Sequence, residues 1–140
     1  MAASTNVAQP ALFVRPTRRT GLLSWLTTVD HKKLGILYIL SSFAFMGLAS
    51  VEAFIMRLQL MRPGQQLVSP DFFNQMFTMH GVTMVFLAIM PLGIGFANYF
   101  VPLMIGARDL AFPRMNAFGY WVYSLGGLMI YTSFFLGGAP

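Results

Sequence analysis

The sequence predicts an all-α membrane protein with three transmembrane helices and a cytoplasmic N-terminus, and three observations predict it. Hydrophobic residues make up 56% of the 140 and charged residues only 9%, with a mean hydropathy of +0.65, which leaves too little polar surface for a water-soluble domain. Three apolar runs, Leu34 to Met56, Phe72 to about Leu103 and about Ala117 to Leu136, each supply the roughly 20 residues a helix needs to cross a hydrocarbon core. The basic residues stand at the ends of those runs rather than in one patch, so the net charge of +5 reports topology and not nucleic-acid binding. Cysteine is absent, which excludes disulfides and thiolate metal sites.

Residues 1–33 read as a cytoplasmic tail and interfacial lead-in, and residues 34–140 as one three-helix transmembrane segment. Met1 to Pro16 is small, polar and proline-containing, while Thr17 to Lys33 is amphipathic and carries Trp25. No cleaved signal is expected, because no small-residue cleavage site follows a short apolar core. The first helix ends in a loop, Gln59 to Asp71, broken by Pro63-Gly64 and Ser69-Pro70. Pro91 falls midway through the second run, where it removes a backbone donor and predicts a kink unless neighbours compensate. Gly93, Gly95, Gly126 and Gly127 are expected to permit close helix packing. With the N-terminus inside, one side holds Arg15, Arg18, Arg19, Lys32, Lys33, Arg108 and Arg114, against Arg57 and Arg62 on the other, which fixes the orientation.

The polar block Asn98 to Asn116 then lies on the cytoplasmic side, centred on a lone acid, Asp109. Asp109 is either a solvated loop acid beside Arg108 or the collecting point of a proton relay. Asn98, near the end of the second helix, and Asn116, opening the third, are amides that a hairpin can bring into one funnel with it. Asn116 equally suits a helix N-cap. His80 stands among apolar residues, with Phe73, Met76, Phe77, Met84 and Leu87 on its helical face. It reads either as a buried histidine bonded to a neighbouring helix or as a metal ligand whose second nitrogen is held by a carbonyl or hydroxyl. Arg57 either snorkels to the interface or offers its planar fork to a buried acceptor such as a cofactor carbonyl. Glu52, five residues before Arg57, is poorly spaced for a same-face pair, and its partner is sought in a segment outside these residues.

The stretch Thr27-Thr28-Val29-Asp30-His31-Lys32-Lys33-Leu34-Gly35, then Phe77-Thr78-Met79-His80-Gly81, then the whole block Asn98 to Asn116, closely resembles subunit I of the haem-copper oxidases. The likeness runs in order from Leu26 to about Phe118, and the Gly106-Ala107-Arg108-Asp109 loop resembles the branch with a D proton pathway. The resemblance implies that His80 is an axial ligand of the low-spin haem, and that Arg57 hydrogen-bonds the formyl group of that haem when it is haem A. It implies that Asp109 is the cytoplasmic inlet of the D pathway, that Asn98 and Asn116 line its mouth, and that Tyr38 lies beside it. Gln59 stands where relatives have an acid that helps bind a peripheral cation.

On that resemblance the chain is the first quarter of a multi-pass subunit of a twelve-helix bundle in a bacterial inner membrane. The ligands of the high-spin haem and copper are then expected further along, so the piece is not active alone. Expected partners are the rest of subunit I, subunits II and III, membrane lipid, and cytochrome c or a quinol as electron donor; nucleic acid is not among them. The implied activity is that of a proton-pumping cytochrome c oxidase reducing oxygen to water. A quinol oxidase, a non-redox transporter and a purely structural helix module are the alternatives.

Overall fold

The computed structural model describes residues 21–136, so the readings for the first twenty residues, Arg15, Arg18 and Arg19 included, and for residues 137–140 lie outside the described residues. Every regular element among the described residues is helical: α1 (Leu23–Leu26), α2 (His31–Gln59), α3 (Pro70–Val82), a π-helical stretch (Thr83–Ile89), α4 (Met90–Met104) and α5 (Pro113–Phe135). The chain from Pro70 to Met104 is one continuous helical run, and it and α2 are long and apolar enough to cross a membrane. α5, 23 residues long, carries tyrosines, serines and a threonine that dilute its apolar character.

Local chemistry sets each boundary. The Asp30 side chain accepts the Lys32 N–H at 2.9 Å and caps α2, three residues ahead of the predicted apolar start. In the lead-in, Lys33 Nζ donates to Ser24 Oγ at 3.0 Å and lies over the Trp25 ring, 5.4 Å from its centroid, which folds α1 back on α2. The loop after α2 turns at Gly64, whose φ of +75° suits glycine, and the Ser69 hydroxyl caps α3 with Pro70 in its first turn. Gln59 pins this loop. Its Nε2 donates to the Gln65 carbonyl at 2.6 Å, and its Oε1 accepts from Leu67 N–H at 2.7 Å and Val68 N–H at 3.0 Å. A carboxylate could accept the second pair of bonds but not donate the first.

Pro91 acts as the sequence suggests, through a change of winding. A proline cannot donate to the carbonyl four residues back, Leu87, and its ring crowds that group. The helix opens into π winding over the seven residues before Met90, whose N–H donates to the Val85 carbonyl, and the Tyr123 hydroxyl of α5 donates to the Leu87 carbonyl at 2.9 Å. The proline defect is thus answered by a neighbouring helix.

The buried stripe of α2, His31, Leu34, Tyr38, Ser42, Phe45, Ala49 and Glu52, recurs every three or four residues, the repeat of a helix packed along its length. Glycine makes the closest approaches. A Cβ on Gly95 would lie 3.0 Å from the Gly35 carbonyl oxygen, one on Gly35 2.9 Å from that of Gly95, and one on Gly127 2.6 Å from Phe45 Cζ. Gly93 and Gly126, expected to pack in the same way, meet no atom within 4 Å. Each stands one or two positions from the packed glycine, and a shift of 100° or 200° around a helix turns it to the outer face.

Candidate functional site

Two polar groups occupy opposite parts of this hairpin. At the end where α2 begins, α4 ends and α5 starts, the chain brings together residues widely separated in sequence. α4 closes with a Schellman turn: Gly106, at φ +67°, donates to the Leu103 carbonyl at 3.3 Å and Ala107 to the Pro102 carbonyl at 2.8 Å. The turn reverses the chain within a few residues and presents Asp109 toward the first residue of α2. There His31 Nδ1–H donates to Asp109 Oδ1 at 3.2 Å, and Oδ1 also accepts the Leu110 N–H at 2.8 Å. His31 is 4% exposed whereas the Asp109 side chain is 41% exposed, so the pair has one face in the protein and one at its surface.

One layer further in, Asn98 Nδ2 donates to Asn116 Oδ1 at 2.9 Å. The hairpin therefore does join the two amides, although nothing places Asn116 in the capping position: Phe112 is the N-cap of α5, and Asn116 sits inside its first turn. Pro113 starts that helix three residues before Asn116, which is why the capping reading fails. Three polar atoms at this end and just beyond it, His31 Nε2, Asn116 Nδ2 and Ser124 Oγ, are buried without a hydrogen-bond partner among the described residues. Buried polar atoms of this kind are the sites where ordered water bridges.

Tyr38 lies two turns along α2 from His31 and is 4% exposed. Its ring meets Tyr120 edge-on at 5.0 Å and stacks on Tyr123 at 5.6 Å. Tyr120 follows Asn116 by one turn of α5, so Tyr38 belongs to the layer above the asparagine pair, in the core with Leu34.

The second group surrounds His80, on the last turn of α3. His80 is half-buried, and its Nδ1 lies 2.9 Å from the Ala49 carbonyl oxygen of α2. A carbonyl only accepts, so Nδ1 carries the proton and Nε2 keeps the lone pair a metal requires. The histidine bonds a neighbouring helix, as the first reading of the sequence has it, and that bond leaves Nε2 in the unprotonated form that the second reading requires. Met76 and Met79 are buried beside it, while Phe77, placed on the same face by periodicity, is 67% exposed. Among the described residues no three His, Cys, Asp or Glu side chains gather around one point, so a metal at His80 would take its other ligands from outside these side chains. Arg57, two turns along α2 from Ala49, is exposed and has no salt-bridge partner among the described residues. Its guanidinium is free to meet an acceptor outside this chain.

Sequence reasoning passed over His31 and the surroundings of Glu52. The stripe on α2 was the available signal for the first, since His31 extends the buried positions Leu34 and Tyr38 by one turn. Glu52 is 8% exposed, and the hydroxyl near its carboxyl belongs to Tyr131 of α5.

Comparison with known proteins follows the same residues. The family model described as Cytochrome C and Quinol oxidase polypeptide I matches residues 33–140. Proteins named cytochrome c oxidase subunit 1 from Alkalihalophilus pseudofirmus, Bacillus subtilis and Bacillus sp. (strain PS3) are 51%, 47% and 50% identical over 116, 130 and 119 residues. These alignments cover 83%, 93% and 85% of this chain, and 19%, 21% and 19% of the relatives. The chain spans about a fifth of the length of the relatives it matches.

Proposed function

Because the chain belongs to the family of Cytochrome C and Quinol oxidase polypeptide I, the membrane-embedded haem-copper subunit of respiratory oxidases, we propose that it forms the N-terminal three-helix part of such a subunit. Its two contributions are an axial ligand for the low-spin haem and the cytoplasmic inlet of a proton pathway. The observation that carries this reading is the His80 Nδ1 bond to the Ala49 carbonyl, which leaves Nε2 as a ligating nitrogen within the hairpin.

In this reading α2, the run from Pro70 to Met104, and α5 each cross the membrane within a twelve-helix bundle. Residues 1–33 form the cytoplasmic lead-in and residues 34–140 the transmembrane segment. The basic residues support the orientation, with Lys32, Lys33, Arg108 and Arg114 at the inlet end and Arg57 and Arg62 at the other. His80 would hold the iron of a haem, haem A where Arg57 meets a formyl group, and the bound haem supplies one-electron transfer.

The residues of this chain do the proton work. Asp109 at the surface takes up a proton, and His31, hydrogen-bonded to it, orients the carboxyl. The Asn98–Asn116 pair and the aromatic hydroxyl of Tyr38 follow inward, where water bonded to the unpartnered buried atoms would continue the path. A proton entering by this route compensates an electron arriving in a low-dielectric interior, where an unbalanced charge costs many kcal/mol.

The high-spin haem and copper would be held by later residues of the subunit, working with subunits II and III in a bacterial inner membrane to reduce oxygen to water. Cytochrome c is the proposed electron donor, after the names of the relatives; the family also contains quinol oxidases, which makes a quinol the second reading. The test is an optical one. The purified complex is expected to give the reduced-minus-oxidised bands of a bis-histidine low-spin haem, and their absence would contradict the proposal.

A further inference from the structure

Glu52 is an ionisable group at hydrocarbon depth that the proton path does not use. Burying such a group costs several kcal/mol unless it has partners, and ionisable residues kept at that depth usually serve function. Among the described residues no Lys or Arg pairs with it. Its polar neighbour is the hydroxyl of Tyr131, which is hydrogen-bonded to Thr83 Oγ1 at 3.0 Å. Thr83 is fully buried, and Glu52 Oε2 is buried without a hydrogen-bond partner. That oxygen is closed off by the helices described.

The cluster has a definite place. Ala49 and Glu52 are one turn apart on α2, and His80 and Thr83 are one turn apart on the partner helix. In an antiparallel hairpin Glu52 therefore lies one turn to the loop side of the His80–Ala49 bond and Thr83 one turn to the other side. Tyr131 reaches from α5 across that interval, at the residue where the π winding begins. On the inlet side the cluster is closed by Phe45, whose ring lies 5.9 Å from both Tyr123 and Tyr131, with Gly127 packed against it. It is a group beside the histidine in which Thr83 and Glu52 are buried and Tyr131 half-buried, and the Phe45 ring stands between it and the polar residues near Asp109.

We propose that Glu52, through Tyr131 and Thr83, is a positioning residue for the haem ligand: the cluster locks α2, the π segment and α5 together around the Ala49 carbonyl and so fixes the plane and basicity of the His80 ring. Partners of this kind, one step removed from the metal, tune ligand strength and reduction potential. The inference rests on the haem-binding reading above.

The test uses the complete oxidase complex with Glu52→Leu, Tyr131→Phe and Glu52→Gln. Spectroelectrochemistry gives the low-spin haem potential, and electron paramagnetic resonance reports the axial geometry of the oxidised haem. Glu52→Leu and Tyr131→Phe are expected to retain the low-spin absorption bands, to alter the resonance g-values and to move the oxidised-to-reduced equilibrium at least tenfold, about 59 mV for a one-electron couple. Glutamine keeps the shape and hydrogen-bonding capacity of the side chain, so Glu52→Gln is expected to restore most of the wild-type potential. Should Glu52→Leu fail to assemble, Tyr131→Phe, which removes one oxygen atom, carries the same expectation. The proposal is overturned if Leu and Phe leave potential and g-values unchanged with the bands present, or if Gln tracks Leu. Absence of low-spin bands from the wild-type complex would instead overturn the haem-binding reading, and this inference with it.

Discussion

Replacing His80 by leucine in the complete oxidase is expected to abolish the low-spin haem signal and, with it, electron delivery to oxygen. Leucine has similar bulk and no donor atom, so the iron loses an axial ligand outright. The helices themselves have little to lose. The Ala49 carbonyl forfeits one hydrogen bond, a net effect of about 1 kcal/mol, and it still has its helical partner in α2. Subunit assembly is therefore expected to persist while the difference bands vanish, and the comparison of a blot with an absorption spectrum separates the two. Bands of wild-type intensity in the variant would remove His80 as a ligand.

The second large effect is at the inlet. Asp109→Asn preserves shape and the acceptance of the Leu110 N–H but cannot take up a proton, and it weakens the charge-assisted bond from His31. Turnover and proton uptake are expected to fall on the order of tenfold or more, an added barrier of about 1.4 kcal/mol. The haem spectrum should stay as in the wild type, because Phe45 and several turns of helix lie between the two sites. Stopped-flow uptake with a pH indicator measures this, and unchanged turnover would end the inlet role.

Much of this was legible in the chain itself. Composition and run length gave helices in a membrane, and Pro63-Gly64 and Ser69-Pro70 marked the loop where Gly64 turns and Ser69 caps α3. A hairpin through the polar block brought Asn98 and Asn116 to one site, while an N-cap was the other role open to Asn116. What the sequence could not show depends on contacts between distant residues. The bond from His31 to Asp109 joins positions 78 apart, and it requires both the Asp30 cap and the Schellman turn at Gly106 to be in place. The answer to Pro91 is a tyrosine on another helix, and the hydroxyl nearest the Glu52 carboxyl lies on a residue 79 positions further along. Local periodicity carries no record of which helix will stand opposite, since in lipid the choice is made by packing of small residues and polar pairs.

These findings separate two kinds of buried polar group along one hairpin. At the inlet the atoms left without partners suit water, and the acid is partly exposed. Around His80 the polar groups tie helices together, with Thr83 and Glu52 buried and His80 and Tyr131 half-buried. We therefore propose that proton uptake and haem support belong to different parts of the same three helices, with an aromatic ring between them.

A density map of the complete complex by electron cryo-microscopy tests this most directly. Haem iron is expected at coordination distance from His80 Nε2, with Nδ1 still on the Ala49 carbonyl and Asp109 open to the cytoplasmic side. A map in which no iron meets Nε2, or in which His80 turns Nδ1 to the metal, would contradict it.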